Sequence, residues 1–562
     1  MHFKVPIFAN TAIDLTVKPN FMKYCFLFLW ISLSGQKVFA QLASARPNIL
    51  FIVADDLGYA DLGCFGGIVE TPNIDKLAKE GIRFSRYHSA PLCAVARSMF
   101  LTGNDNHIAG MGVQGLQTGI AGYEGCLSDR VVTVPDLLKD AGYHTVMAGK
   151  WHLGKAPQSN PHQKGFLQSF VVLDGAANHY NSLGVLGNIH KSEYTENGKL
   201  ATWPDGAYST DFYTDKLISY MEKGRQEGKP FFAFAAFTSP HWPLQVDEKF
   251  WKKYTGKFDD GYEAWKKRNM QSLQKAGMIA ADFVAPPNHE RVKPWDSLTK
   301  EQQKWNARAM ELYAGMVDNL DYNVGRLVQY LKSTNAYDNT LIVLVSDNGA
   351  AAEDFFNNET QRDFIRQNYT EAYDSMGKVN SYISYGPQWA EAGSAPFRYF
   401  KSYATEGGMV APMIISGPMV EAKGSISPVF TTLVDLAPTF YSIAEVSYPA
   451  IYRGKSVYPL RGKPITPVFH NPLQAIHRDD YVFAFETNGN ACVRKGNWKL
   501  VNFIRPFDER NFQLFNLMDD PGEQVDLKQK SPEKYQELLA DWQQYVKEAM
   551  VSIPAPKQGE GL

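Results

Sequence analysis

The chain has 562 residues, 44% apolar and 21% charged, an ordinary soluble composition that is long enough for one large domain and a smaller companion. A formal net charge of -2 argues against a nucleic-acid or other polyanion binder held by bulk electrostatics, so any anion recognition has to be local. Five cysteines without a CxxC pair or a cysteine–histidine cluster exclude a disulfide scaffold and a structural zinc site.

Residues 1–40 are expected to lie outside the folded protein. Met22-Lys23 precedes the apolar run Tyr24 to Leu33, and Val38-Phe39-Ala40 brings a small residue before Gln41. That order describes a secretory signal near 22–40, with residues 1–21 as an upstream extension. The run is too short to span a bilayer, so the expected location is periplasmic or secreted, with no membrane anchor. Cleavage removes Cys25 and leaves Cys64, Cys93, Cys126 and Cys492.

From Pro47 onward, strand and helix signals alternate. Ile49 to Ala54 is a continuous apolar run, as in a strand buried on both faces, and it ends at Asp55-Asp56. Thr71-Pro72-Asn73 opens a helix that stops at Gly81. Ala90 to Gly103 places Cys93 at the entrance of a mostly apolar helix and Arg97 one turn later, where the dipole and the guanidinium can hold developing negative charge. From those residues alone the plainer reading is favoured, a buried thiol packed as a small hydrophobe. Thr133 to Ala141 reads as a helix, Tyr143 to Ala148 and Pro230 to Phe237 as strands, Met310 to Leu331 as a long amphipathic helix and Leu341 to Ser346 as a further strand. The alternation predicts an α/β domain with a large, mostly parallel central sheet flanked by helices.

Ligands of such sheets collect beyond the carboxyl ends of the strands. The strand ends deliver Asp55-Asp56, Gly149-Lys150-Trp151-His152, Ser239-Pro240-His241-Trp242 and Asp347-Asn348-Gly349. Singly, each is ordinary turn chemistry. Together they carry carboxylates, a carboxamide, a lysine and two histidines. Two long stretches, about 256–300 and 355–403, read as irregular, the second dense in aromatics; both are candidate walls of a substrate cleft or ordinary surface packing. From Asp479 short antiparallel strands (481–486, 491–494, 498–503) and a closing helix from Pro532 to Met550 predict a smaller α+β subdomain, 479–562, after a catalytic domain spanning 41–478.

Asp55, Asp56, Asp347 and Asn348 offer only oxygen, which selects calcium ahead of magnesium and argues against zinc or copper. Neighbouring carboxylates repel unless a cation lies between them. A soft thiol fits poorly beside a hard cation, whereas Cys93 converted to an aldehyde would offer the oxygens of its hydrate. Lys150 and Lys401 are candidate charge clamps for an anion, and His152 and His241 candidate proton carriers. If the strand runs on past Lys150, His152 projects to the same side.

Six features in order carry a family resemblance: Asp-Asp after the first strand, Cys-x-x-x-Arg before Leu-Thr-Gly, Gly-Lys-Trp-His-Leu-Gly, Ser-Pro-His, Ser-Asp-Asn-Gly, and Lys401 before Glu406-Gly407-Gly408. Together they resemble the type I, formylglycine-dependent sulfatases over nearly all of 47–550, including Gly496 to Leu500 and Asp520 to Glu523. Gly175 to Tyr180 and Phe397 to Gly408 look closest to the bacterial aryl/alkyl branch. The resemblance implies an alkaline-phosphatase-like fold, one bound Ca2+, and a 3-oxoalanine (formylglycine) made from Cys93 by a maturase. It implies metal ligation by Asp55, Asp56, Asp347, Asn348 and the modified Cys93, and orientation of the aldehyde hydrate by Arg97 and Lys150. His241 and Lys401 would hold sulfate and assist the leaving oxygen, and Asp347 could accept a proton from the attacking hydroxyl. His152 would be the base that expels sulfate from a covalent sulfate hemiacetal. In this sequence Val95 stands where the family's Cys-x-Pro-x-Arg pattern has proline, and valine also favours the extended shape in which the maturase reads the segment. The expected activity is hydrolysis of aryl, alkyl or carbohydrate sulfate esters. The alternatives are a phosphodiester or phosphonate monoester hydrolase of the same superfamily and, with Cys93 unmodified, a sulfated-glycan binding protein.

Overall fold

In the computed structural model the strands of the central sheet are β1 (Asn48–Ala54), β2 (Gly81–Phe84), β3 (His144–Lys150), β4 (Gln168–Val172), β5 (Tyr194–Glu196), β6 (Lys199–Ala201), β7 (Phe231–Ala236), β8 (Thr340–Ser346), β9 (Met413–Ser416) and β10 (Ser425–Ser427). Their order is β10-β2-β9-β8-β1-β7-β3-β4-β5-β6. The five central strands β8, β1, β7, β3 and β4 run parallel, antiparallel pairs extend the sheet on both sides, and β10 adds to β2 in parallel at one edge. Described are residues 1–2, 46–115, 117–555 and 557, so the expected signal near 22–40 lies outside the described residues.

Alternate residues of β1 feed two cores. Leu50 and Ile52 pack on one face with helices α1 (Pro72–Lys79), α3 (Ser209–Gln226) and α5 (Lys300–Ser333). Ile49, Phe51 and Val53 pack on the other with α2 (Cys93–Thr102) and α6 (Leu436–Ile443). Burial on both faces accounts for the unbroken apolar run. A capping box at Thr299 and Gln302 starts α5 ten residues before the apolar pattern that announced it.

The stretch 256–300 is less irregular than its composition implies. It contains α4 (Gly261–Lys275), whose Tyr262, Trp265, Met270 and Leu273 are buried while its charged side chains occupy the other face. In 355–403, Tyr382, Tyr385 and Trp389 are buried in the core. Trp389 packs on Trp265 at 5.6 Å, so these three aromatics fill the interior, whereas Phe355, Phe400 and Tyr403 of the same stretch line a cleft.

Near the C-terminus, strands β11 (Val482–Thr487), β12 (Asn490–Lys495), β13 (Trp498–Asn502) and β14 (Gln513–Asn516) form an antiparallel sheet in sequence order. The fourth strand is an addition to the three that the sequence signals. Ala484, Leu500 and Leu514 pack against α7 (Pro532–Glu548), while Phe483, Phe485 and Val501 join the core under the central sheet. The small sheet is therefore packed on both faces.

Candidate active site

Register brings the site together. Ala54 of β1 pairs with Ser346 of β8, so Asp55-Asp56 and Asp347-Asn348 leave the sheet side by side. Ala236 of β7 pairs with Gly149 of β3, which sets Lys150 beside the chain that continues to His241. Asp56 and His152 both take left-handed backbone (φ 66° and 58°), turning the chain off the strand ends. Strand β3 stops at Lys150, so His152 reaches the site through this turn and not by strand alternation. Cys93 is the first residue of α2, and Lys401 arrives on the loop before Glu406.

The charged groups are buried and paired. Lys150 Nζ donates to both oxygens of Asp55 at 2.9 and 2.7 Å. Arg97 donates to Asp347 Oδ2 through Nε (3.0 Å) and Nη2 (2.8 Å), and its Nη1 donates to the carbonyl of Lys150. Lys401 Nζ donates to Asp56 Oδ2 at 2.9 Å, and His241 Nε2 stands 3.2 Å from the same oxygen. Cys93 Sγ lies 3.6 Å from Asp56 Oδ1, which also accepts from Asn348 Nδ2 at 2.6 Å. Around Cys93, three carboxylates thus face two lysines and an arginine. The repulsion that alone suggested a metal is already offset by the protein's own cations.

Electrostatics follow from this packing. Burial opposes ionisation of Asp56, but Lys401 and His241 outweigh it and hold the carboxyl well below the usual range. Burial and then the neighbouring Asp55 raise Asp347. Burial pushes the Cys93 thiol well up, so as a plain cysteine it is a protonated, poor nucleophile. His241 is pushed down to about 4 by burial, against the pull of Asp56. His152 is driven well below its ordinary value by burial and then by Lys150, Arg97, Lys401 and His241, which leaves it a free base at neutral pH.

All the sequence-predicted residues converge here: Asp55, Asp56, Cys93, Arg97, Lys150, His152, His241, Asp347, Asn348 and Lys401. Ligand atoms of Asp55, Asp56, Cys93 and His241 lie within 4.8 Å of one another. Asn348 Oδ1 is buried with no hydrogen-bond partner among the described residues, as expected of an acceptor meant for a cation. Carboxylates plus this orphan carbonyl form a donor set that fits a hard divalent ion.

Three supporting residues were not singled out by the sequence. Glu353 places Oε1 3.6 Å from Lys401 Nζ. His179 Nε2 donates to the backbone carbonyl of His241 at 3.1 Å. Gly175 lies against His152, where a Cβ would fall 2.4 Å from imidazole Cε1. Gly175 and His179 belong to the Gly175 to Tyr180 segment already noted for its resemblance, while nothing in the sequence marks Glu353.

A sequence profile of the family described as Sulfatase matches residues 47–446, which is most of the chain. The chain belongs to the sulfatase family. This sulfatase also matches the profile "N-sulphoglucosamine sulphohydrolase, C-terminal" over 396–552. It is 37% identical to an uncharacterised sulfatase of Schizosaccharomyces pombe, covering 92% of this chain and 96% of the relative. It is 38% identical to an arylsulfatase of Klebsiella aerogenes, covering 75% and 92%. An N-acetylglucosamine-6-O-sulfatase of Bacteroides thetaiotaomicron is 25% identical over 88% of this chain and 85% of its own. Among solved structures, Ps i-CgsB in complex with k-i-k-neocarrahexaose aligns at a TM-score of 0.66 and 25% identity, covering 91% of this chain and 95% of that one. A phosphonate monoester hydrolase of Agrobacterium radiobacter shares the fold at 0.53 and 18% identity, covering 90% and 95%. The sulfatase is thus a sulfuric ester hydrolase on an alkaline-phosphatase-like fold.

Proposed function

We propose that the protein is a calcium-dependent sulfatase that hydrolyses aryl, alkyl or carbohydrate sulfate esters with formylglycine at position 93 as its nucleophile. The observation that carries the reading is the placement of Cys93, at the start of α2 and 3.6 Å from Asp56, inside a buried ring of carboxylates and cations. Asp55, Asp56, Asp347 and Asn348 are the residues that would hold calcium, together with the modified side chain of residue 93. Bound calcium would supply Lewis-acid stabilisation of negative charge, and the aldehyde, as its hydrate, an oxygen nucleophile.

The remaining chemistry belongs to the chain. Lys150 and Lys401, paired here with Asp55 and Asp56, are the cations that would meet an anionic sulfate group once a divalent ion shared those carboxylates. Arg97, held by Asp347 and the Lys150 carbonyl, fixes the side of residue 93 from which attack occurs. His241 uses its Nδ1–H on the Trp242 carbonyl at 2.7 Å, which points Nε2 into the site. An arriving sulfate favours protonation of that Nε2, and His241 with Lys401 then delivers a proton to the departing ester oxygen. His152, kept neutral by the cations around it, takes the proton whose removal expels inorganic sulfate. The maturase that converts Cys93 and a secretory route to the periplasm or exterior complete the proposal; among the described residues no helix is long and apolar enough to cross a membrane.

The test compares initial rates on an aryl sulfate, an aryl phosphodiester and a phosphonate monoester. Sulfate is expected to be preferred, and a strong preference for either phosphorus ester overturns the assignment in favour of the related hydrolases. Cys93→Ala is expected to abolish turnover without changing the circular dichroism spectrum. Full activity in that variant contradicts the nucleophile assignment.

A further inference from the structure

A cleft opens beside Lys401, with a cavity volume of about 470 Å³. Its position ties it to the reacting centre, because Lys401 Nζ is hydrogen-bonded to Asp56. Three features of its walls describe what it holds. Glu353 Oε2 is buried there without a hydrogen-bond partner among the described residues, an acceptor that calls for a donor from a bound molecule. Phe355, Tyr403 and Phe503 are half-buried around it and make part of its wall aromatic. Arg291 and Arg505 line the same cleft and are exposed; neither pairs with a carboxylate among the described residues, and Arg291 stands beside the Tyr403 hydroxyl.

The acids in the cleft do not account for these guanidinium groups. Glu353 faces Lys401 at 3.6 Å, and Asp354 is engaged by the backbone N–H and side-chain amide of Asn357. An alkyl chain would leave both the carboxylate oxygen and the two arginines unused, and a simple aryl group would use only the aromatic wall. A sugar ring with a free hydroxyl and a second anionic substituent uses all three features.

We propose that this cleft is a subsite for a saccharide sulfate carrying a second anionic group, sulfate or carboxylate, with Glu353 accepting a sugar hydroxyl and Arg291 and Arg505 binding the second anion. The subsite rests on the sulfatase chemistry proposed above, and its test separates the two. In the Cys93→Ala protein, where binding is read without turnover, calorimetric affinities are measured for a sugar monosulfate, the same sugar with a second sulfate, and the corresponding uronic acid monosulfate. A second anion is expected to tighten binding by about tenfold or more at low salt, as charge-assisted hydrogen bonds do. The Arg291→Ala, Arg505→Ala double variant is expected to bring that ratio close to one, and the larger of the two gains identifies the second group as sulfate or carboxylate. Equal affinities in the parent protein, or an undiminished ratio in the double variant, overturn the subsite. Absence of turnover by the matured wild-type enzyme on every sulfate ester would instead refute the chemistry and leave these affinities to decide the subsite independently.

Discussion

Replacing Gly175 with alanine tests the role of His152 without touching its chemistry. A Cβ at position 175 would lie 2.4 Å from His152 Cε1 and 2.5 Å from Nε2. Relaxed carbon contacts need about 3.5–4.0 Å, so the ring has to retreat by roughly 1 Å. Gly175 is not among the glycines at positive φ, so its backbone accepts alanine. No hydrogen bond at the buried Nδ1 anchors the imidazole among the described residues. Misplacing a reacting group by about 1 Å costs on the order of 10²-fold in rate, or about 2.7 kcal/mol of barrier. With 4-nitrophenyl sulfate, kcat is expected to fall by about that factor while the first equivalent of nitrophenol is still released quickly, since His152 acts in sulfate expulsion. The melting temperature should stay near that of the wild type. In a His152→Ala background the glycine change should cost nothing further, because its target is gone. A kcat within about threefold of wild type, or losses that simply add, would refute the placement of His152 as the expelling base.

Two further outcomes follow from the geometry. Removing calcium from the matured protein with a chelator should abolish activity, and restoring it to about 100 times Kd should add about 2.7 kcal/mol of stability. For a chain of this length that is a rise in Tm of roughly 2–3 °C by calorimetry, and an unchanged Tm would contradict the oxygen-ligand site. Away from the site, His107 is buried between Asp105 (3.4 Å) and Glu486 (2.9 Å). Burial opposes its protonation, but hydrogen bonds to these two carboxylates outweigh it and raise the imidazole to about 9. A raised folded-state pKa gives stability that is complete below the unfolded value of about 6.5 and is lost as pH rises through 9, a total of about 3 kcal/mol. Denaturant unfolding between pH 6 and 10 should show that decline, and His107→Gln should flatten it. An equal slope in the variant would mean that other groups are responsible.

The central parallel strands were legible because burial on both faces demands unbroken apolar runs, as in Ile49 to Ala54 and Leu341 to Ser346. The site was legible for a related reason: parallel register lines up strand ends, so residues that follow separate strands become neighbours. What could not be read was set by distant chain. The buried side of helix α4 (Tyr262, Trp265, Asn269, Met270, Leu273) does recur at helical spacing, but this narrow stripe is set among lysines, arginine and glutamines and was masked by the polar composition of the stretch. The carboxylate repulsion that suggested a metal is countered by Lys150, Lys401 and Arg97, whose pairings only the folded chain reveals. Glu353 lies in an irregular segment whose path no periodic pattern specifies. Gly175 matters only through the His152 ring against it.

The proposed chemistry requires residue 93 to act as an aldehyde and not as a thiol. The most direct measurement is the mass of the tryptic peptide Tyr87–Arg97 from active enzyme, purified from its natural host or co-produced with a maturase. The peptide should show the sulfur of Cys93 lost and a carbonyl oxygen gained, in a fraction that rises with specific activity. A fully active preparation in which that peptide carries only an unmodified cysteine would contradict an aldehyde nucleophile.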